Sequence, residues 1–267
     1  MYNAKNGTLI IDNDSMDYIS FGNGAQNLII LPGLGDGLKT VKGMALTFAL
    51  MYRKLEKEYK VYVFSRRNNL PAKYSSREMS KDTKAAMDLL GIEKAHIIGV
   101  SQGGTIAQYM AIDYPERVEK LILTVTYAKS NENINTVLKK WLEYAQNNDY
   151  QKLFMDTAEK SYSEKYLKKN RAFFPILSKF GAPKSFSRFI TQANACLSHN
   201  SYDLLPQIEC ETLIIGGKED KIVTAAASEE LHTQIKNSSI YMYDDLSHGL
   251  YEEAPDFWDR IIEFLKK

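Results

Sequence analysis

The run Ala95–His96–Ile97–Ile98–Gly99–Val100–Ser101–Gln102–Gly103–Gly104 decides how this chain folds, and Thr105–Ile106–Ala107–Gln108–Tyr109–Met110 follows it without a break. A short β-branched strand runs into Gly-x-Ser-x-Gly and then at once into a helix former. A serine lifted on so tight a strand-to-helix turn has backbone crowded against the residues two before and two after it. Both are therefore glycine. The first N–H groups of the new helix then point at whatever the serine attacks. The pentapeptide alone arises by chance about one time in ten in a chain this long. Its setting reads it as a nucleophile turn rather than a glycine turn that only packs closely.

The same alternation extends outward in both directions. Residues 8–12 and 18–21, split by Asn13–Asp14–Ser15, read as an opening β-hairpin. Residues 27–31 form a buried strand that ends in Pro32–Gly33–Leu34–Gly35–Asp36–Gly37. That turn lacks the Gly-Lys-Ser/Thr of a phosphate loop and the spacing of a dinucleotide fingerprint, so its expected use is to bring backbone N–H groups to Ser101. A helix over 41–59, a strand over 60–64, the stretch Ser65–Arg66–Arg67–Asn68–Asn69 and a helix over 78–90 lead to the serine turn. Tyr114–Pro115 stops the helix after it, and 120–125 is the next strand. Strands alternating with helices at this spacing predict an α/β fold, a doubly wound and mostly parallel sheet.

The alternation then breaks. Ile134, Val137, Leu138, Trp141, Leu142 and Ala145 keep helical spacing, as do Tyr150, Leu153, Phe154, Thr157 and Ala158. Phe186, Phe189, Ile190, Ala193 and Leu197 repeat it after Pro183, a good first-turn residue. Residues 129–206 are therefore expected to form a helical cap inserted in a core of 1–128 and 207–267. The core resumes with a strand at 211–217, a helix over 225–235, a strand at 239–243 and a helix over 255–265.

Composition narrows the class. The chain has 267 residues and a net charge of +1, with no dense basic run interleaved with aromatics, so nothing points to nucleic acid. No apolar run reaches membrane-spanning length and residues 1–20 lack an apolar signal core. Cys196 and Cys210 stand without metal or redox spacing. A cytoplasmic protein without membrane, metal or cofactor is the expectation.

A serine hydroxyl needs a base to take its proton and a carboxylate to hold that base. Of four histidines, His96 lies in the strand before Ser101, where packing is its expected role. His199 in the cap and His232 on a helix suit solvated or structural roles. His248, in Leu246–Ser247–His248–Gly249, follows the last strand, where open α/β sheets place their sites. Asp220, in the loop after the preceding strand, is the candidate acid, with Glu219, Asp244 and Asp245 as rivals. The order Ser, Asp, His completes the set.

Leu31–Pro32–Gly33–Leu34–Gly35, Gly99–Val100–Ser101–Gln102–Gly103–Gly104, Gly216–Gly217–Lys218–Glu219–Asp220 and Ser247–His248–Gly249 together resemble the α/β-hydrolase-fold serine hydrolases with a helical cap, over nearly the whole chain. The resemblance implies Ser101 as nucleophile, His248 as general base and then acid, and Asp220 as its orienting group. It implies an oxyanion hole from the backbone N–H groups of Leu34 and Gln102. Two positions depart from it. Pro32–Gly33 stands where many relatives have His-Gly, and Asn68 replaces the glycine that usually follows the arginine at Arg67. A serine nucleophile, rather than aspartate, argues against the dehalogenase and epoxide-hydrolase branches.

The expected reaction is cleavage of a small-molecule carboxylic ester or lactone through an acyl-enzyme. Thioester cleavage, acyl transfer, carbon–carbon bond hydrolysis and perhydrolysis are alternatives on the same fold, and a slow-turnover binding protein is one of another class. Trp141, Tyr144, Phe154, Tyr162, Tyr166, Phe173, Phe174, Phe180, Phe186 and Phe189 are expected mostly to hold the cap down, a few of them lining a partly apolar acyl pocket. Residues 129–207 carry 12 Lys/Arg against 7 Asp/Glu, a net +5 that leaves −4 elsewhere. Such charge reads either as the wet faces of helices or as a preference for anionic substrates.

Overall fold

The computed structural model describes residues 2–267, and its strands are β1 (Lys5–Ile11), β2 (Asp14–Phe21), β3 (Gln26–Leu31), β4 (Tyr59–Arg67), β5 (Ala95–Val100), β6 (Val118–Thr124), β7 (Glu211–Gly217) and β8 (Ser238–Tyr243). They form one sheet in the order β1-β2-β4-β3-β5-β6-β7-β8. Asp12 and Asn13 take φ of 48° and 66°, which turns β1 back onto β2 as a hairpin. β2 meets β4 antiparallel, and every pairing from β4 through to β8 is parallel.

Side chains alternate faces along a strand, and here both faces are apolar. Ile29, Leu31, Phe64, Ile97, Leu121, Leu123 and Ile214 pack on one side with α2 (Ser76–Leu89), α3 (Gln102–Asp113) and α9 (Ala225–Gln234). Leu28, Ile30, Val61, Val63, Ile98, Ile122 and Ile215 pack on the other with α1 (Ala45–Met51) and α11 (Phe257–Lys266). β5, the third strand of the parallel run, is thereby covered on both faces, and the turn at its end has a rigid base. Between β6 and β7 lie α4 (Glu132–Gln146), α5 (Tyr150–Ser161), α6 (Glu164–Asn170), α7 (Phe174–Leu177) and α8 (Ser187–Ser198), and α10 (Leu250–Glu253) follows β8.

Three local expectations are corrected. The helix expected over 41–59 shrinks to α1, because Leu55 N–H bonds back to Tyr52 O (2.9 Å) and Tyr59 is claimed by pairing with Gln26. β4 runs on to Arg67, since β2 supplies an antiparallel partner there, Met16. Pro183 does not open α8, which begins at Ser187. Of the two roles open to His199, solvated or structural, it takes the structural one: its ring lies edge-on between Tyr109 and Tyr127, at centroid distances of 5.5 and 5.6 Å.

Burial pushes the pKa of His199 down from 6.5 to about 3. The folded protein then holds it neutral where the unfolded chain takes up a proton, so stability present above pH 6.5 is lost on acidification towards the folded value. Urea titrations should show unfolding free energy falling by about 2 kcal/mol more in the wild type than in His199→Phe between about pH 7 and pH 5. Equal slopes would refute a neutral buried imidazole.

Candidate active site

Ser101 sits between β5 and α3 with φ 53° and ψ −117°, a backbone conformation that L-residues resist and that surrounding packing must impose. The glycines make that possible. A Cβ on Gly103 would lie 1.8 Å from the Leu31 carbonyl oxygen, and one on Gly33 3.3 Å from Ser101 Cβ. The turn after β3 therefore rests directly against the serine.

The loops after β5, β7 and β8 bring three predicted residues into contact. Ser101 Oγ lies 3.0 Å from His248 Nε2, and His248 Nδ1 lies 2.8 Å from Asp220 Oδ2. A carboxylate only accepts, so Nδ1 carries the proton and Nε2 is left to accept from the serine hydroxyl. Asp220 Oδ1 accepts from the amides of Ile222 (2.8 Å) and Val223 (3.0 Å), which fixes the plane of the carboxylate. Asp220 and His248 are both buried. The rival acids do not converge: Glu219, Asp244 and Asp245 are exposed, and Asp244 pairs with Lys218. His96 packs edge-on to Tyr59, and His232 is exposed beside Ser238.

Leu34 opens a 3-10 turn (Leu34–Gly37) and Gln102 opens α3, so neither amide has an acceptor within its own helix. Among the described residues neither donates to a protein acceptor. Arg67, expected in a loop, instead ends β4 and is held by the carboxylates of Asp82 and Asp12.

The sequence reading missed what supports this turn. Asp36, in the same 3-10 turn, accepts through Oδ2 from the Arg66 amide (3.1 Å), Arg188 Nη2 (3.0 Å) and Gln192 Nε2 (3.2 Å). Arg66 Nη2 donates to Pro32 O (2.5 Å) and to Gln102 Oε1 (3.3 Å), while Gln102 Nε2 donates to Gln192 O (2.9 Å). Burial lowers the pKa of Arg66, and the Asp36 carboxylate opposes that shift. Arg188 and Gln192 belong to α8. A polar residue inside a glycine turn, Asp36, was the one signal available, and its partners lie at least 30 residues away.

The segment that closes α5 grips the histidine loop as well. Gly249 N–H donates to Ser161 O (2.6 Å) and Ser247 Oγ to Lys160 O (2.8 Å). Glu253 accepts from the Ser163 amide (2.9 Å) and hydroxyl. The helices between β6 and β7 thus contact both the glycine turn and the histidine loop.

Removing the cation of this network should show its weight. In Arg188→Ala the Asp36 side chain, 1% exposed, loses its ion-pair partner. A loss of about 3 kcal/mol in unfolding free energy is expected, read from the urea midpoint. An unchanged midpoint would mean that Arg66 suffices for Asp36.

Over the glycine turn, Leu34 packs with Trp141, Leu142, Phe186, Phe189, Ile222 and Val223 in one buried apolar cluster. Of the aromatics expected to hold a cap down, Trp141, Phe186 and Phe189 pack in this cluster, and Phe174 packs with Phe154, Tyr162 and Tyr166 in a smaller one. Phe173 and Phe180 do not: they are exposed. Among the described residues no cluster of His, Cys, Asp or Glu could hold a metal ion, and no helix is long and apolar enough to cross a membrane.

The family model for the alpha/beta hydrolase fold matches residues 26–255. A 2-hydroxy-6-oxononadienedioate/2-hydroxy-6-oxononatrienedioate hydrolase from a Pseudomonas species is 23% identical over 96% of this chain and 93% of its own. Among solved structures, an alpha/beta hydrolase enzyme from a Medee basin deep-sea metagenome library superposes with a TM-score of 0.86 at 18% identity, covering 98% of both chains. The enol-lactonase of Burkholderia xenovorans LB400 gives 0.83 at 18% identity, over 98% of this chain and all of its own. At such identity the two structures speak for the fold alone.

Proposed function

The chain belongs to the α/β-hydrolase-fold family, a family of hydrolases, and from that premise we propose that it cleaves a small carboxylic ester or lactone by way of an acyl-enzyme on Ser101. The observation that carries this reading is the unbroken hydrogen-bonded path from Ser101 Oγ through His248 to Asp220. His248 Nε2 takes the hydroxyl proton as Oγ attacks the carbonyl carbon. The tetrahedral oxyanion is received by the amides of Leu34 and Gln102, each worth about 3 kcal/mol in the transition state. The protonated imidazole, steadied by Asp220, gives its proton to the leaving alkoxide. Water, deprotonated by the same nitrogen, then attacks the acyl carbon, and the imidazole returns that proton to Ser101 Oγ as the acyl–oxygen bond breaks and the acid leaves. Residues 129–206 act as the cap, and the cluster of Trp141, Phe186 and Phe189 beside Leu34 supplies an apolar wall for the acyl group.

A second reading keeps this nucleophile and takes an oxo-acid of the kind in the Pseudomonas relative's name, with hydrolysis of a carbon–carbon bond. Arg188 counts against it, because that cap cation is already committed to Asp36 and is not free for a substrate carboxylate. Intact-mass analysis after treatment with a small fluorophosphonate tests the nucleophile: one adduct on the wild type, none on Ser101→Ala. Rates on short, long, aromatic and anionic esters, set beside a 6-oxo-dienoate, then separate the two readings. Turnover of the dienoate alone would remove the ester assignment.

A further inference from the structure

Four large apolar side chains stand in water on the cap: Phe173, Ile176, Leu177 and Phe180 are 60%, 58%, 51% and 70% exposed. Their spacing is i, i+3, i+4, i+7, that of a helical stripe carried over the 3-10 turn Arg171–Phe173, α7 and the turn after it, yet the stripe faces away from the protein. The opposite side of the same segment is the one that packs. Phe174 is buried and stacks on Tyr162 and edge-on to Phe154, and Ser178 is buried beside it. Amphipathic segments of folded domains turn their apolar side inward; this one carries a second apolar side that none of the described residues covers.

Charge says what fits there. Lys165, Lys168, Lys169, Arg171, Lys179 and Lys184 flank the stripe and all are exposed. Between Glu164 and Asp203 the sequence contains no acidic residue at all. Of these six cations only Arg171 is ion-paired among the described residues, to Glu159 at 2.6 Å. A second copy of this chain would set the same cations against each other across a two-fold contact, which disfavours self-association. An anionic phospholipid surface satisfies both features, taking the apolar stripe below its headgroups and the lysines among its phosphates.

We propose that the outer face of residues 165–184 seats this protein on an anionic phospholipid surface. Phe173, Ile176, Leu177 and Phe180 insert, and Lys165, Lys168, Lys169, Lys179 and Lys184 provide the attraction. The contact is peripheral and reversible, and it does not depend on the chemistry assigned to Ser101.

Sedimentation of the intact protein with sucrose-loaded vesicles tests it, comparing pure phosphatidylcholine with phosphatidylglycerol-rich membranes at low and high salt. Binding to the phosphatidylglycerol-rich vesicles is expected, with weakening in salt. The quadruple variant Phe173→Ser/Ile176→Ser/Leu177→Ser/Phe180→Ser and the variant Lys168→Glu/Lys169→Glu should each bind about tenfold or more weakly. Melting curves and fluorophosphonate labelling of Ser101 on the same samples report folding and the site separately. Absence of binding, equal binding by the variants, or equal binding to both membranes would overturn the proposal. So would a wild-type dimer, lost in the quadruple variant, that forms without any affinity for vesicles.

Discussion

Ser101→Ala should lower kcat by about a millionfold, roughly 8 kcal/mol of activation free energy, while leaving the melting temperature nearly unchanged. The methyl group fits where Cβ already sits, and among the described residues the hydroxyl's only side-chain partner is His248 Nε2, so little else is disturbed. On the proposed mechanism, what disappears is the atom that forms the covalent bond. His248→Ala should fall by a similar factor, because a hydroxyl without a base attacks slowly. In that mechanism serine and histidine act as one unit, so the double variant should be little worse than either alone. The residual rate, about a thousandfold above water, would come from the Leu34 and Gln102 amides and from binding. Steady-state kinetics on the best ester of the panel gives the answer. A Ser101→Ala enzyme retaining a tenth of the activity would place the nucleophile elsewhere.

The second large effect belongs to Asp220→Asn, expected to cost about ten-thousandfold in kcat, roughly 5.5 kcal/mol. Asparagine fills the same volume, and its carbonyl oxygen can still accept from the amides of Ile222 and Val223, as Oδ1 does now. Its amide nitrogen then faces His248 Nδ1 and donates to it. The imidazole proton moves to Nε2, and a nitrogen that carries a proton cannot take one from Ser101. Folding is preserved while the tautomer is wrong. Fluorophosphonate labelling should slow in parallel, and a drop smaller than tenfold would show that another carboxylate orients the histidine.

The fold and the meeting of Ser101, His248 and Asp220 were readable in the chain because the decisive signals are local. Gly99–Val100–Ser101–Gln102–Gly103 imposes its own geometry, and β5, with apolar residues on both faces, could only be an interior strand. Asp220 and His248 were legible because each follows a strand of the parallel run, where the topology delivers it to Ser101. The helix expected over 41–59 failed for the opposite reason. Its apolar residues suited a helix, but β3 had already claimed Tyr59 for the sheet. Arg66, Asp36, Arg188 and Gln192 were illegible as a set, since each is an ordinary polar residue until folding brings α8 onto the glycine turn. The outward stripe at Phe173, Ile176, Leu177 and Phe180 shows the limit of periodicity: spacing reveals that a face exists, not which way it turns.

The helices between β6 and β7 hold the candidate site at two places, through Arg188 and Gln192 at the glycine turn and through residues 160–163 at the histidine loop. Acting as the proposed cap, they would not behave as a door that swings clear of a finished catalyst. Lifting them would disassemble what they cover, so openness to substrate and readiness to react would be competing states of one equilibrium. Reciprocity then applies: any ligand that prefers the assembled site stabilises the cap by the same factor by which the closed cap favours that ligand. Covalent capture of Ser101 should therefore slow amide hydrogen exchange in residues 160–163 and 188–192, although the inhibitor need touch neither segment. Exchange that stays the same on labelling would mean that the two grips are passive.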